Sequence, residues 1–143
     1  MNNVNRYGQS IQRTSDLSVE ELWTRVVQIE KWPLYTASIT SAKILGDGSL
    51  VMGSRIVINQ PGAPEATWTV TELAEGKSFT YEMRRAGLVS IAEHVVDAHG
   101  ENGSILTLTF SMHGRFAAIW GLLMGKKIRE YLQLEAEGLT KNS

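Results

Sequence analysis

Residues 106–112 read LTLTFSM, and residues 115–138 read RFAAIWGLLMGKKIREYLQLEAEG. The first stretch alternates apolar residues with polar ones, which is typical of a strand with one face on a core and one in water. In the second stretch a mostly apolar series recurs every three or four positions from Phe116 to Glu135, which predicts a helix from about Arg115 to Gly138. The two segments therefore predict a sheet packed against a long final helix.

Upstream of this pair, glycine and proline turns divide the chain into strand-length segments. After Ile39 they separate six runs of β-branched and aromatic residues, each about 6–10 residues long. An earlier strand, residues 7–14, precedes a helix start in which Ser18 and Glu21 have the spacing of a capping box. A second short helical turn is expected around Pro33. The predicted order is one strand, two short helices, six antiparallel strands and a long helix, which is an α+β architecture.

Composition excludes several classes of function. The chain has 143 residues, 14 basic and 15 acidic side chains, and no cysteine. That length predicts a single domain, residues 1–143. The near-zero net charge argues against nucleic-acid binding. The missing cysteines exclude disulfides, thiolate catalysis and cysteine-ligated metals.

The two chain ends give weaker expectations. Residues 1–6 contain no apolar run, so no signal peptide is predicted, and a cytoplasmic location is expected. Residues 140–143 are expected to be frayed.

Three small residues of the predicted final helix, Ala117, Gly121 and Gly125, lie four positions apart. A glycine inside a helix costs about 1 kcal/mol relative to alanine, so two of them need a physical reason. Either the helix backbone approaches the sheet closely, or the stripe leaves space for something else. The sequence leaves both alternatives open.

The ordered set of segments resembles the SRPBCC superfamily, which includes START lipid-transfer domains, the birch pollen allergen and the polyketide cyclase/dehydrase families. The resemblance is nearest to the last of these. It rests on the final helix and five shorter segments, at residues 19–23, 30–33, 46–53, 68–72 and 92–94. It implies a helix-grip fold, in which a seven-stranded curved antiparallel sheet wraps around the C-terminal helix and encloses an apolar cavity.

That implied cavity is the candidate site, and its lining follows from the inward faces of the strands and the helix. Methionine and aromatic side chains are frequent on these faces, and such residues suit a hydrophobic ligand. Ordinary core packing remains the alternative for each of them. The candidate ligand-binding residues are Trp32, Tyr35, Trp68, Tyr81, Met83, His94, Leu108, Phe110, Phe116, Trp120 and Met124.

The orientation of His94 depends on strand register. If residues 101–103 form a three-residue turn, Gly100 pairs with Ser104 and His94 shares the inward face of Leu108. An inward histidine could act as an acid or base near neutral pH, or be a core residue bonded to a neighbour. Together with Tyr35 and Tyr81, it is a candidate catalytic residue.

Two functions stay open. One is a binding or transfer protein for a small hydrophobic molecule such as a lipid, quinone or polyketide. The other is a polyketide cyclase/dehydrase-type enzyme acting in the same cavity. The resemblance to such cyclases implies an arginine inside the cavity, and no arginine of this sequence is clearly interior. The predicted partners are the small ligand, a transient membrane contact through residues 116–129 and a homodimer, with no nucleic acid. No cofactor and no metal site are predicted.

Overall fold

One antiparallel sheet and three helices make up the structure, a computed structural model that describes residues 5–141. The strand order is β1-β7-β6-β5-β4-β3-β2, and α3 packs against β1 and β7. The predicted helix-grip fold is confirmed, with α3 displaced by two residues from its predicted bounds. The elements are β1 (Arg6–Ser15), α1 (Val19–Val27), a 3-10 turn (Ile29–Lys31), α2 (Trp32–Tyr35), β2 (Ser41–Ile44), β3 (Arg55–Asn59), β4 (Ala66–Ala74), β5 (Ser78–Arg85), β6 (Leu88–His99), β7 (Gly103–Gly114) and α3 (Ala117–Thr140).

Helix α1 begins at the predicted capping box. The Glu21 backbone N–H donates to Ser18 Oγ at 3.1 Å, and the Ser18 N–H donates to Glu21 Oε1 at 2.9 Å. These bonds satisfy backbone donors that the first helical turn leaves free. Leu22 and Val26 are fully buried, so the apolar face of α1 packs into the core beside β6 and β7.

The β6–β7 hairpin has a different register from the one predicted. His99 pairs with Gly103 and Ala98 with Ser104, so the expected pairing of Gly100 with Ser104 is wrong by two residues. Because side chains alternate faces with a period of two, an even shift leaves every residue on its predicted face. His94 therefore still points inward, opposite Leu108.

The glycines of α3 make room for a side chain of β1. A Cβ atom on Gly121 would overlap the Tyr7 ring, and one on Gly125 would lie 2.8 Å from the Tyr7 hydroxyl oxygen. The helix backbone therefore rests directly on an aromatic ring of the first strand. Of the two alternatives for the small-residue stripe, the structure supports close approach of the helix backbone to the sheet.

The C-terminal end of α3 is anchored by residues of β1 and α1. The Ser15 hydroxyl donates to the Thr140 carbonyl at 2.7 Å, and an Arg25 Nη donates to the Lys141 carbonyl at 2.5 Å. The expectation of a frayed tail is therefore wrong for Thr140 and Lys141, while residues 142–143 lie outside the described residues. So do residues 1–4, on which part of the signal-peptide expectation rests. Within the described chain, no helix is long and apolar enough to cross a membrane.

Candidate functional site

A mostly apolar cavity of about 470 Å³ lies between α3 and the inner faces of strands β4 to β7. Strand alternation directs large side chains into it from the sheet, and the helical repeat does the same from α3. The β3–β4 loop contributes Gln60, Ala63 and Pro64 to its border. Of the candidate ligand-binding residues, those that line this cavity are Trp68, Tyr81, Met83, His94, Leu108, Phe110, Trp120 and Met124.

Three candidates do not line the cavity, and each has a local reason. Trp32 is buried in the core, where its ring packs against Phe79 and His94. The Tyr35 ring lies under the Arg25 guanidinium, with 5.0 Å from the ring centroid to Cζ, where α2 meets the last turns of α3. Phe116 precedes α3 in a left-handed conformation and is 57% exposed. Their predicted cavity positions are corrected accordingly.

His94 lies at the inner wall of the cavity and is only 2% exposed. Its ring stacks on Phe79 with 4.1 Å between centroids, and Nδ1 lies 3.4 Å from the Phe79 carbonyl oxygen. Burial lowers its pKa to about 4, and the Phe79 carbonyl offsets only part of this effect. The imidazole is therefore neutral at physiological pH, and its unprotonated nitrogen can accept a hydrogen bond from a ligand.

Tyr81 meets His94 edge to face, with ring centroids 5.2 Å apart, and packs on Trp68 at 4.5 Å. Burial raises the pKa of its hydroxyl well above the usual value, and the nearby Glu135 charge raises it further. Tyr81 therefore stays protonated and can donate a hydrogen bond to a ligand. Of the three candidate catalytic residues, the structure brings together His94 and Tyr81 and leaves Tyr35 outside the cavity.

One functional group of the cavity is not among the site residues predicted from sequence, namely the carboxyl of Glu135. It lines the cavity from α3 and is 8% exposed. Burial raises its pKa to about 7, so it titrates near neutrality. The signal for it is visible in the sequence, because Glu135 lies four residues after Tyr131 and continues the inward stripe of α3. A carboxyl group in an apolar stripe marks a cavity better than another apolar residue does.

No arginine lies inside the cavity among residues 5–141. Arg55 and Arg84 are exposed, as their strand parity predicts. Arg85 is exposed at the cavity border, where its Nη2 donates to the Glu65 carbonyl at 2.8 Å. Within the same range, no group of three or more His, Asp and Glu residues is placed to hold a metal ion.

Two side chains of α3 tie the β3–β4 loop to the helix. The Tyr131 hydroxyl donates to the Pro61 carbonyl, and Lys127 Nζ donates to the Gly62 carbonyl at 3.0 Å. The same loop contributes Ala63 and Pro64 to the cavity lining. These two bonds, here called the loop anchor, hold the loop at the border of the cavity.

Comparisons with known proteins agree with this architecture. A family model described as polyketide cyclase / dehydrase and lipid transport matches residues 9–142. No curated protein sequence matches the chain. A point mutant of norcoclaurine synthase from Thalictrum flavum, solved with a transition-state analogue, is similar with a TM-score of 0.73 at 12% identity, over 94% of this chain and 92% of that one.

A START superfamily protein from Mycobacterium smegmatis is similar with a TM-score of 0.70 at 14% identity, over 95% of this chain and 97% of that one. At such identities the structural likeness shows the fold alone. The family match spans nearly the whole sequence. The chain therefore belongs to the polyketide cyclase/dehydrase and lipid transport family of the SRPBCC superfamily.

Proposed function

We propose that this protein binds a small hydrophobic molecule, such as a lipid, a quinone or a polyketide, between the sheet and α3, and transfers it. The observation that carries the proposal is the apolar cavity of about 470 Å³, which falls in the size range of small-molecule sites. Burial of apolar ligand surface there would be the main driving force for binding.

The test is displacement of a neutral fluorescent reporter, N-phenyl-1-naphthylamine, together with native mass spectrometry of the purified protein for a co-purified adduct. Ala92 lines the cavity, whereas Ala98 is exposed farther along the same strand. We expect Ala92→Leu to weaken reporter binding by about tenfold, because the added methyl groups occupy ligand space. Ala98→Leu is the matched control and should bind like the wild type. Equal binding by both variants, or no binding by the wild type, would contradict the proposal.

The transfer role is supported by an apolar surface beside the cavity. Leu122 is 84% exposed and Leu123 is 70% exposed, and both adjoin the cavity residues Trp120 and Met124 along α3. Exposed Lys126, Arg115 and Arg129 lie at either end of this surface. An apolar helix surface with flanking cations suits brief docking on an anionic membrane. Lys127 contributes less to it, because its ammonium group contacts the β3–β4 loop.

Membrane docking is tested by co-sedimentation with vesicles of phosphatidylcholine and phosphatidylglycerol. The double variant Leu122→Ser, Leu123→Ser should lose binding, and Leu134→Ser, a partly exposed position later in α3, should keep it. Analytical ultracentrifugation on the same proteins tests the competing use of this surface. If the wild type is a dimer, the double variant is a monomer and neither co-sediments with vesicles, the surface is a homodimer contact and membrane docking is excluded.

A cyclase/dehydrase-type enzyme is the second candidate, favoured by the contact between His94 and Tyr81 at the cavity wall. The neutral imidazole can accept a hydrogen bond from an enol hydroxyl of the substrate, while the protonated tyrosine can stabilise a developing oxyanion. Turnover of a poly-β-keto substrate should be lost in the double variant His94→Ala, Tyr81→Phe. Turnover that survives these changes would remove both residues from the chemistry.

A further inference from the structure

Glu135 is a buried carboxyl group with no partner of its own. Its side chain is more than nine-tenths buried, and among residues 5–141 neither oxygen makes a hydrogen bond or an ion pair. In this range, every side-chain oxygen or nitrogen that protein encloses fully has a hydrogen-bond partner. Since the Glu135 oxygens have none, both must be partly accessible. The carboxyl group therefore remains reachable from the cavity that it lines.

The described surroundings of Glu135 provide no interior positive charge. Arg85 is exposed at the cavity border and is engaged by the Glu65 carbonyl, and Glu93 is exposed. His94 is neutral because of its burial, and burial keeps Tyr81 in its protonated, uncharged form. An ionised Glu135 is thus the only interior charge that these groups provide. The titratable groups that line the cavity are Tyr81, Arg85, Glu93, His94, Tyr131 and Glu135.

The aromatic lining favours the same kind of ligand group as the carboxylate. Tyr81 lies near enough to Glu135 to respond to its charge, and Trp68 packs on Tyr81. The face of an aromatic ring attracts a cation, most strongly where water is excluded. A carboxylate beside aromatic side chains suits an ammonium group and repels an anion. A buried, unpaired carboxylate is costly, so a cationic ligand would relieve that cost.

We propose that the ligand is a hydrophobic amine, whose protonated nitrogen pairs with Glu135 and whose apolar body fills the rest of the cavity. This inference rests on the proposed function and specifies its ligand class. Binding brings a cation to a carboxyl group that is partly protonated at neutral pH, so the complex releases a fraction of a proton. Acidic ligands such as fatty acids are excluded from the inner part of the cavity.

The test compares three eight-carbon ligands, octylamine, octan-1-ol and octanoate, as competitors of N-phenyl-1-naphthylamine at pH 8. The amine is protonated at this pH, as a lysine side chain would be. We expect the wild type to bind octylamine more than about tenfold tighter than octan-1-ol, since hydrogen bonds to charged groups are the stronger ones. Octanoate should bind most weakly.

The decisive variant is Glu135→Gln, with Glu137→Gln as its matched control on the exposed side of the same helix. Glu135→Gln should lose the amine preference while keeping its affinity for octan-1-ol, and Glu137→Gln should keep both. Equal binding of amine and alcohol by the wild type, or an amine preference that survives Glu135→Gln, would overturn the amine inference and leave hydrophobic binding intact. If octan-1-ol also fails to compete, the proposed function fails with it.

A second measurement guards against a Glu135→Gln protein that does not fold. The wild type alone is titrated with octylamine and octan-1-ol at pH 8 and at pH 5.5. Because burial raises the pKa of Glu135 to about 7, the amine preference should fall at pH 5.5, where His94 is still neutral. A preference that does not change between the two pH values would contradict pairing with this carboxyl.

Discussion

The imidazole of His94 lies parallel to the ring of Phe79, with 4.1 Å between the centroids and 6° between the planes. The two residues face each other across β5 and β6, so the sheet register itself sets this stack. Trp32 packs against this pair from the core, with 5.6 Å between its ring centroid and that of the imidazole. A ring held in this way has little access to water, and its charged form is disfavoured.

Stability should depend on pH through His94 with a definite sign. Its pKa is about 4 in the folded protein against an ordinary value of 6.5, so below pH 6.5 the unfolded chain binds more protons. The free energy of unfolding should therefore fall as pH decreases from 6.5 to 4, by at most about 3 kcal/mol. Urea titrations of Glu135→Gln at pH 7.5, 6 and 5 isolate this effect, and a flat profile would contradict it.

Glu135 should act in the opposite direction. Its pKa is about 7 in the folded protein against an ordinary value of 4.5, so between these values the folded state binds more protons. The free energy of unfolding should fall as pH rises from 4.5 to 7, by at most about 3 kcal/mol. The same titrations on His94→Gln should show this fall. Because the two effects oppose each other, the wild type should vary less than either variant.

The packing of Tyr7 on the glycines of α3 gives a test of close approach. Gly121→Ala should lower the free energy of unfolding by about 1–3 kcal/mol through overpacking, although alanine favours helix by about 1 kcal/mol. In a Tyr7→Ala background the same change should be neutral or stabilising. Urea denaturation of the four proteins gives the coupling. Equal destabilisation in both backgrounds would show that the ring is not the obstacle.

The loop anchor should control how fast a ligand leaves. Removing either hydrogen bond, with Tyr131→Phe or Lys127→Met, frees the β3–β4 loop from α3. Each bond contributes about 1 kcal/mol, so we expect dissociation of N-phenyl-1-naphthylamine to accelerate by about fivefold per variant. Stopped-flow fluorescence measures this rate. The control is Lys126→Met, an exposed neighbour, and identical rates in all four proteins would exclude the loop as a barrier.

The capping box at α1 predicts a local contribution to stability. Ser18→Ala removes the acceptor for the Glu21 backbone N–H and should cost about 1 kcal/mol, whereas Ser18→Thr should retain most of it. Chemical denaturation followed by circular dichroism is sufficient to measure the difference. Wild-type stability in Ser18→Ala would mean that water replaces the cap without loss.

Several features of the site could be predicted from sequence because they depend on local periodicity. Strand alternation places Trp68, Tyr81 and Leu108 on the inner face whatever the neighbouring strand does. The prediction of an inward His94 rests on a turn whose pairing is off by two residues, and it holds because side-chain faces repeat with that period. Trp32 and Tyr35 lie outside the cavity that their pattern predicts, because the four-residue α2 is too short for a period to fix the direction of a side chain.

The sequence by itself determined the order of elements, the capped start of α1 and the inward faces of the sheet and helix, since each of these follows from contacts between residues close in the chain. Only the tertiary structure decided that α3 rests on Tyr7 and that Glu135 is reachable from a cavity. An inward apolar residue has the same pattern whether it meets protein or empty space. The distance between sheet and helix, which distinguishes the two, is set by residues far apart in sequence, such as Tyr7 and Gly121.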